Sequence, residues 1–272
     1  MYQFGWFSTG RGKGSRELFK VALDGISSGQ IKNARISYVF CSREAGESPE
    51  TDRFIELVKS SNIPIVCFSY QKFKGDRPDN APDEPLPEWR LEYDRQVMGL
   101  LKDFDCDLCV LAGYMLIVGH EMCKKYNMLN LHPAAPGGPK GTWREVIWKL
   151  IDTKAKETGV MMHMVTPELD KGPVVSYCKF PIIGEPFDKH WQFVKEKRVD
   201  EIKKNQGEDN ELFKIIRQQG VKRELPLILT TMSAFSSGKV IISNGAVFDS
   251  HKNKINGYNL TDEIERLLEA KN

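Results

Sequence analysis

The chain has 272 residues, 40% of them hydrophobic and 28% charged, with 39 Lys+Arg against 37 Asp+Glu and a formal net charge of +2. This is the composition of a globular protein. It excludes a disordered or collagenous chain, and the even charge balance lacks the basic surplus of a non-specific nucleic-acid binder. No run approaches the roughly 18 to 20 apolar residues that span a bilayer, and the opening MYQFGWFSTGRGKG has no charged-then-apolar signal layout, so a cytoplasmic protein is expected, with no membrane and no nucleic acid as partner.

Residues 2–7 form a short aromatic-rich apolar run, followed by STGRGKGS and then by Leu18, Val21, Ala22 and Ile26 at helical spacing. That order predicts a strand, a Gly-rich turn and a helix. A second strand is expected over residues 36–40, a helix face at Phe54, Ile55, Leu57 and Val58, and a third strand over residues 65–68. Such alternation builds a parallel sheet. Residues 70–87 carry Pro78, Pro82, Pro85 and Pro87 and read as an exposed loop. A helix over residues 88–104 leads to a buried strand at 108–112 and a short one at 128–131. Ligands of open parallel sheets bind at the carboxyl ends of the strands, which puts residues 113–118 and 130–132 on one rim. Beyond a helix at 142–151, residues 159–165 and 173–180 read as a strand pair flanking the loop TPELDKG. Residues 187–219 are charged and helical in pattern, and their mixed signs suit a solvated face. Asn244-Gly245 predicts the turn of a hairpin between residues 240–242 and 246–248, and Thr261 is expected to cap a closing helix that runs through Leu268.

Six cysteines are too few for a disulfide framework and read as reduced thiols. Cys106 and Cys109 form a C-x-x-C, but no second pair or suitably spaced His completes a zinc site, so no metal is expected.

Three features could carry chemistry. Gly10, Gly12 and Gly14 match neither named nucleotide-binding motif. The amides of Gly14, Ser15 and Arg16 at a helix N-terminus, with Arg11 and Lys13 beside them, nevertheless favour a phosphate or carboxylate. A merely tight turn is the other reading. In Asn130-Leu-His132-Pro133, Asn130 and His132 are two apart in an extended segment and project to the same side. An amide donor and an imidazole meeting at one point can hold and polarise a carbonyl oxygen. The third feature is His163 with the loop that carries Asp170. An Asp before a Lys-Gly pair is by itself ordinary turn chemistry.

Together these features resemble a family. The stretches VLAGYMLIVGHEMCKKYNMLNLHPAAPGGPKGTW and TGVMMHMVTPELDKGPVV are similar to the catalytic core of the folate-dependent formyltransferases, with Asn-x-His-Pro and Leu-Asp-x-Gly-Pro in matching order. The resemblance implies an α/β fold, a Rossmann-like, mostly parallel sheet with helices on both faces, extended by a C-terminal helix, a β-hairpin and a further helix. It divides the chain into a catalytic domain over residues 1–185 and a C-terminal segment over 186–272 packed on that core. It makes Asn130, His132 and Asp170 the catalytic set, with His132 protonated and its pKa raised by Asp170. It assigns the pterin of 10-formyltetrahydrofolate, the formyl donor, to Met115, Leu116, Val118, His163, Pro167, Glu168 and Leu169. The acceptor it implies is a small primary amine, phosphorylated and held by Arg11, Gly14, Ser15 and Arg16, with glycinamide ribonucleotide of purine synthesis the foremost example. Hydrolysis of the formyl group, transfer to another amine and folate binding without catalysis are the alternatives. A monomer or homodimer is expected.

Overall fold

The computed structural model describes residues 1–78, 85–168, 170–195 and 197–270. Its first strand, β1 (Tyr2–Ser8), is buried on both faces because successive side chains point opposite ways. Trp6 meets Phe19 of helix α1 (Lys13–Ser27) on one face, while Phe7 meets Tyr114 on the other. The chain then alternates through β2 (Ala34–Cys41), α2 (Pro49–Ser60) and β3 (Ile65–Cys67). Next come α3 (Tyr70–Lys74), α4 (Glu88–Leu100), β4 (Leu108–Leu111), α5 (His120–Lys125), β5 (Met128–His132) and α6 (Trp143–Asp152). Strands β6 (Glu157–Met164) and β7 (Val174–Pro181) precede α7 (Asp188–Val194), α8 (Val199–Asn205) and the long α9 (Glu211–Ser236). A hairpin of β8 (Val240–Ser243) and β9 (Ala246–Asp249), the short β10 (Tyr258–Asn259) and α10 (Thr261–Glu269) follow.

Eight strands form one sheet in the order β10-β7-β6-β5-β4-β1-β2-β3. Every neighbouring pair is parallel except those made by β6, which runs antiparallel to β5 and β7. Helices cover both faces. Phe4, Trp6 and Val110 pack with Leu18, Phe19 and Phe54 on one side, and Phe7, Cys109 and Leu111 with Tyr93, Val97 and Met122 on the other. Leu227, Ile228 and Met232 of α9 belong to the first of these clusters, so the C-terminal helix contributes directly to the main core.

The local readings differ from the structure in instructive places. The expected loop from residue 70 begins with α3, because the Ser69 hydroxyl accepts from the Lys72 amide and caps a single turn of helix. Residues 79–84 of that loop, with Pro82, lie outside the described residues. Helix α4 ends at Leu100, short of the expected residue 104. Thr261 is the first residue of α10, not its cap: Asn259 Oδ1 accepts from the Thr261 amide, and the Thr261 hydroxyl accepts from the Lys179 amide of β7. Asn244 and Gly245 have φ of 48° and 70°, as a two-residue turn between right-twisted strands requires.

Candidate active site

The carboxyl ends of β1, β4 and β5 lie side by side, and β5 carries Asn130 and His132 on one face of its extended backbone. Antiparallel β6 sets His163 directly opposite Asn130. Asp170 arrives from the segment that joins β6 to β7, in a left-handed conformation with φ 51° that Asp tolerates better than most residues. Its two carboxylate oxygens divide between the histidines: Oδ2 lies 3.7 Å from His132 Nδ1 and Oδ1 lies 3.5 Å from His163 Nε2. The Gly141 amide approaches Oδ2 at 3.4 Å.

Backbone carbonyls assign the tautomers. His132 Nε2 donates to the Pro139 carbonyl at 3.0 Å, and His163 Nδ1 donates to the Met164 carbonyl at 2.9 Å. Each neutral ring therefore turns a lone pair toward Asp170. Asn130 Nδ2 donates to the His163 lone pair at 3.4 Å, which leaves its second hydrogen available. His132, His163 and Asp170 each present an atom that can accept a proton or bind a cation, and these atoms lie within 4.8 Å of one another. Both rings are almost fully buried, at 2% and 3% exposure.

The charge state of His132 differs from the expectation. Burial lowers its pKa, and this outweighs the opposite pull of the Pro139 carbonyl and the Asp170 charge, so the net direction is below the ordinary imidazole value. Burial raises Asp170, but the hydrogen bond that His163 donates and the positive charge that both rings carry when they are protonated more than offset it, and the carboxyl is held below its usual range. The resting site at neutral pH is thus a neutral His132 beside a carboxylate, a proton acceptor in place of the expected donor. Because His132 must be unprotonated to accept, kcat/KM is expected to persist as pH falls and to drop only below the ordinary imidazole value of 6.5. A pH–rate profile checks this, and an acid limb above that value would mean that His132 rests protonated.

The loop after β4 is held rigidly. Gly113 has φ 70°, and a Cβ there would lie 2.9 Å from the Ser15 hydroxyl, so only glycine allows α1 to approach this closely. The Met115 amide donates to Thr9 Oγ1 at 3.0 Å, which joins this loop to the turn after β1. Val118 is buried, Leu116 packs against the same cluster as Val118 and Val165, and the Met115 side chain is exposed. Sequence reasoning missed the anchor of this loop, a buried pair on α4. Arg90 donates to Asp94 Oδ1 at 2.6 Å and to the Ile117 carbonyl, while Asp94 Oδ2 accepts from the Gly119 amide at 2.6 Å. The i,i+4 spacing was visible, but nothing local distinguishes it from a surface pair. Pro139 and Gly141, which position His132 and Asp170, were likewise passed over within AAPGGPKG.

Of the residues expected around an anion, Ser15 is buried at the first turn of α1. Gly14 is open to solvent, and no side chain caps the helix. Arg11 is exposed and, among the described residues, has no ion-pair partner. Arg16 does not join them: its guanidinium pairs with Glu50 of α2. On the donor side, Pro167 and Glu168 follow β6, and the Glu168 carbonyl accepts from Thr166 Oγ1 at 3.0 Å. Leu169 lies outside the described residues.

Comparison with known proteins agrees with this arrangement. A family model described as formyl transferase matches residues 12–193. The chain is 33% identical over 154 residues to a phosphoribosylglycinamide formyltransferase of Haemophilus influenzae, covering 52% of this chain and 72% of that one. It is 27% identical over 179 residues to the phosphoribosylglycinamide formyltransferase of Saccharomyces cerevisiae, covering 62% and 80%. Its fold is similar to the solved phosphoribosylglycinamide formyltransferase of Coxiella burnetii, with a TM-score of 0.66 at 17% identity, covering 95% of this chain and 98% of that one. The family model, which begins at residue 12, spans α1, the Asn130 and His132 strand and the Asp170 loop together. The chain belongs to the formyl transferase family.

Proposed function

We propose that this chain transfers the formyl group of 10-formyltetrahydrofolate to a small phosphorylated primary amine, with glycinamide ribonucleotide the acceptor. The observation that carries this reading is the convergence of His132, His163 and Asp170 with Asn130 at the carboxyl ends of adjacent strands. The comparison proteins quoted above carry the corresponding acceptor in their names.

The residues present fit the donor. Among the described residues, neither the amide nor the carbonyl of Leu116 has a partner within the chain, and Val118 and Val165 provide an apolar wall beside them. Free backbone groups next to a buried apolar surface suit a flat heterocycle with hydrogen-bonding edges. When bound, the donor supplies a formyl carbon carried on N10 and open to attack by an amine.

The chain's own residues then move protons and hold charge. The free Asn130 hydrogen donates to the formyl oxygen as negative charge grows there. His132 Nδ1 takes the proton that the amine loses on forming its new C–N bond. Asp170, close to that nitrogen, stabilises the imidazolium, and His132 returns the proton to N10 as the old C–N bond breaks. His163, fixed by the Met164 carbonyl, holds Asn130 in place.

The acceptor's phosphate fits the N-terminus of α1 near Ser15 and Arg11, where no side chain caps the helix and the helix dipole favours an anion, although the Ser15 amide itself donates to the Gly12 carbonyl at 3.2 Å. That turn follows β1, two strands from β5, or roughly 10 Å at ordinary strand spacing. An acceptor with its amine and phosphate about that far apart bridges the two. Arg11→Ala is expected to raise the acceptor KM about tenfold with little change in kcat, because it removes binding that is equal in ground and transition states. Steady-state kinetics check this; equal loss with an acceptor lacking phosphate would remove the subsite.

The deciding experiment follows consumption of 10-formyltetrahydrofolate with glycinamide ribonucleotide, with other primary amines and with no amine. Turnover dependent on glycinamide ribonucleotide supports the proposal. Equal turnover without an amine would make the chain a hydrolase, and folate binding without turnover would remove catalysis.

A further inference from the structure

A groove of about 1120 Å³ lies between α6, the turn that follows it, α7 and α8. None of Asn130, His132, His163 or Asp170 lines it, nor does any residue of the turn after β1. Its far wall, which includes Lys195, Lys197, Arg198 and Lys203, lies beyond residue 193, where the family match ends. The groove is thus a feature of this chain apart from the catalytic cleft.

Its floor is apolar and aromatic. Trp148 and Val194 are buried in the cluster beneath, and Trp191 packs against it. The Trp148 ring packs against Phe213 with centroids 4.7 Å apart and the rings tilted by 36°. Trp191 Nε1 donates to the Ile182 carbonyl, which fixes that indole and spends its only donor, so the ring has only its π surface left to offer.

The rim is cationic. Among the described residues, eight Lys or Arg line the groove against four Asp or Glu, a local surplus of four in a chain whose total is +2. Three of the acids have partners, Asp152 within the groove itself, since Lys149 also lines it. Glu145 accepts from Thr142 at 2.7 Å, Asp152 pairs with Lys149 at 3.2 Å and Asp188 accepts from the Gly184 amide at 2.7 Å. Among the cations, Arg144 pairs with Glu208, and Lys203 lies 5.7 Å from the Trp148 ring centroid. Lys154, Lys156 and Arg198 are exposed and, among the described residues, have no carboxylate partner.

Unpaired cations around an aromatic floor select a ligand with two parts, a flat apolar body and several negative charges. A bare anion would leave the indole surface unused, and a neutral ring would leave the cations unpaired. We propose that this groove binds an organic polyphosphate with an aromatic body, of the nucleoside triphosphate class, the ring lying on the tryptophan floor and the phosphates on Lys154, Lys156 and Arg198.

The probe is ATP, titrated into the full-length protein by calorimetry and tryptophan fluorescence, with adenosine and inorganic tripolyphosphate alongside. ATP is expected to bind saturably and to change the tryptophan emission. Adenosine and tripolyphosphate should each bind at least about tenfold more weakly, since each supplies half of the recognition. The double variant Lys154→Glu, Lys156→Glu should weaken ATP at least about tenfold, and Arg198→Glu should act in the same direction. Because these residues are on the surface, folding is checked by an unchanged thermal midpoint. Arg11→Ala should leave ATP binding unchanged, which separates this groove from the acceptor's phosphate subsite. Absence of saturable binding at millimolar ATP, tripolyphosphate binding as tightly as ATP, unaltered binding by the charge-reversed variants, or loss of binding in Arg11→Ala would each overturn the proposal.

Discussion

Replacing His132 by Gln is expected to lower kcat about a thousandfold while leaving KM for both substrates within a few fold. Glutamine can still donate to the Pro139 carbonyl, as His132 Nε2 does at 3.0 Å, so the loop that carries Gly141 keeps its anchor. It cannot accept a proton and return it, and a positioned acid–base group is commonly worth a factor of about 10² to 10⁴. The loss should therefore appear in kcat, as for an interaction made chiefly in the transition state. Steady-state kinetics with a control measurement of donor binding separate this from a folding defect. A fall of less than about tenfold would remove His132 from the proton path and leave Asp170 to act through water alone.

The largest effect on stability is expected at Asp94. Its carboxylate is 2% exposed, faces Arg90 at 2.6 Å and also accepts from the Gly119 amide. Asp94→Ala leaves the Arg90 guanidinium buried without its counter-ion and the Gly119 amide without an acceptor. Breaking a buried pair in this way costs about 3 to 5 kcal/mol. Urea unfolding should show a matching loss. The double replacement Arg90→Met, Asp94→Leu should recover part of it, because an apolar pair leaves no uncompensated charge. The pair also holds the loop after β4 through Ile117 and Gly119, so the single variant should raise the donor KM as well. Unchanged unfolding in Asp94→Ala would mean that water reaches Arg90 and solvates it.

Much of this site was legible in the chain because period-two alternation is a local rule. Asn130 and His132 were placed on one face of a strand from their spacing alone, and β5 does end at His132. The apolar run at residues 108–112 read as a buried strand, and β4 is buried along its whole length. The Asn244-Gly245 turn was legible for the same reason, since its demand for positive φ is met by those two residue types. Helix α3 was obscured because its cap, Ser69, stands at the edge of a proline-rich stretch whose composition argues for a loop.

What the chain alone determined, then, is the alternation of strands and helices, the faces they present and the residue types available at the carboxyl ends of β4 and β5. Tertiary structure decided which of those groups meet and in what charge state. Antiparallel β6 brings His163 opposite Asn130, and Arg16 goes to Glu50 instead of the anion subsite. Burial turns His132 into an acceptor against the pull of Asp170. Periodicity is a property of neighbours along the backbone, whereas ion pairing and desolvation depend on segments that are distant in the chain and close only after folding.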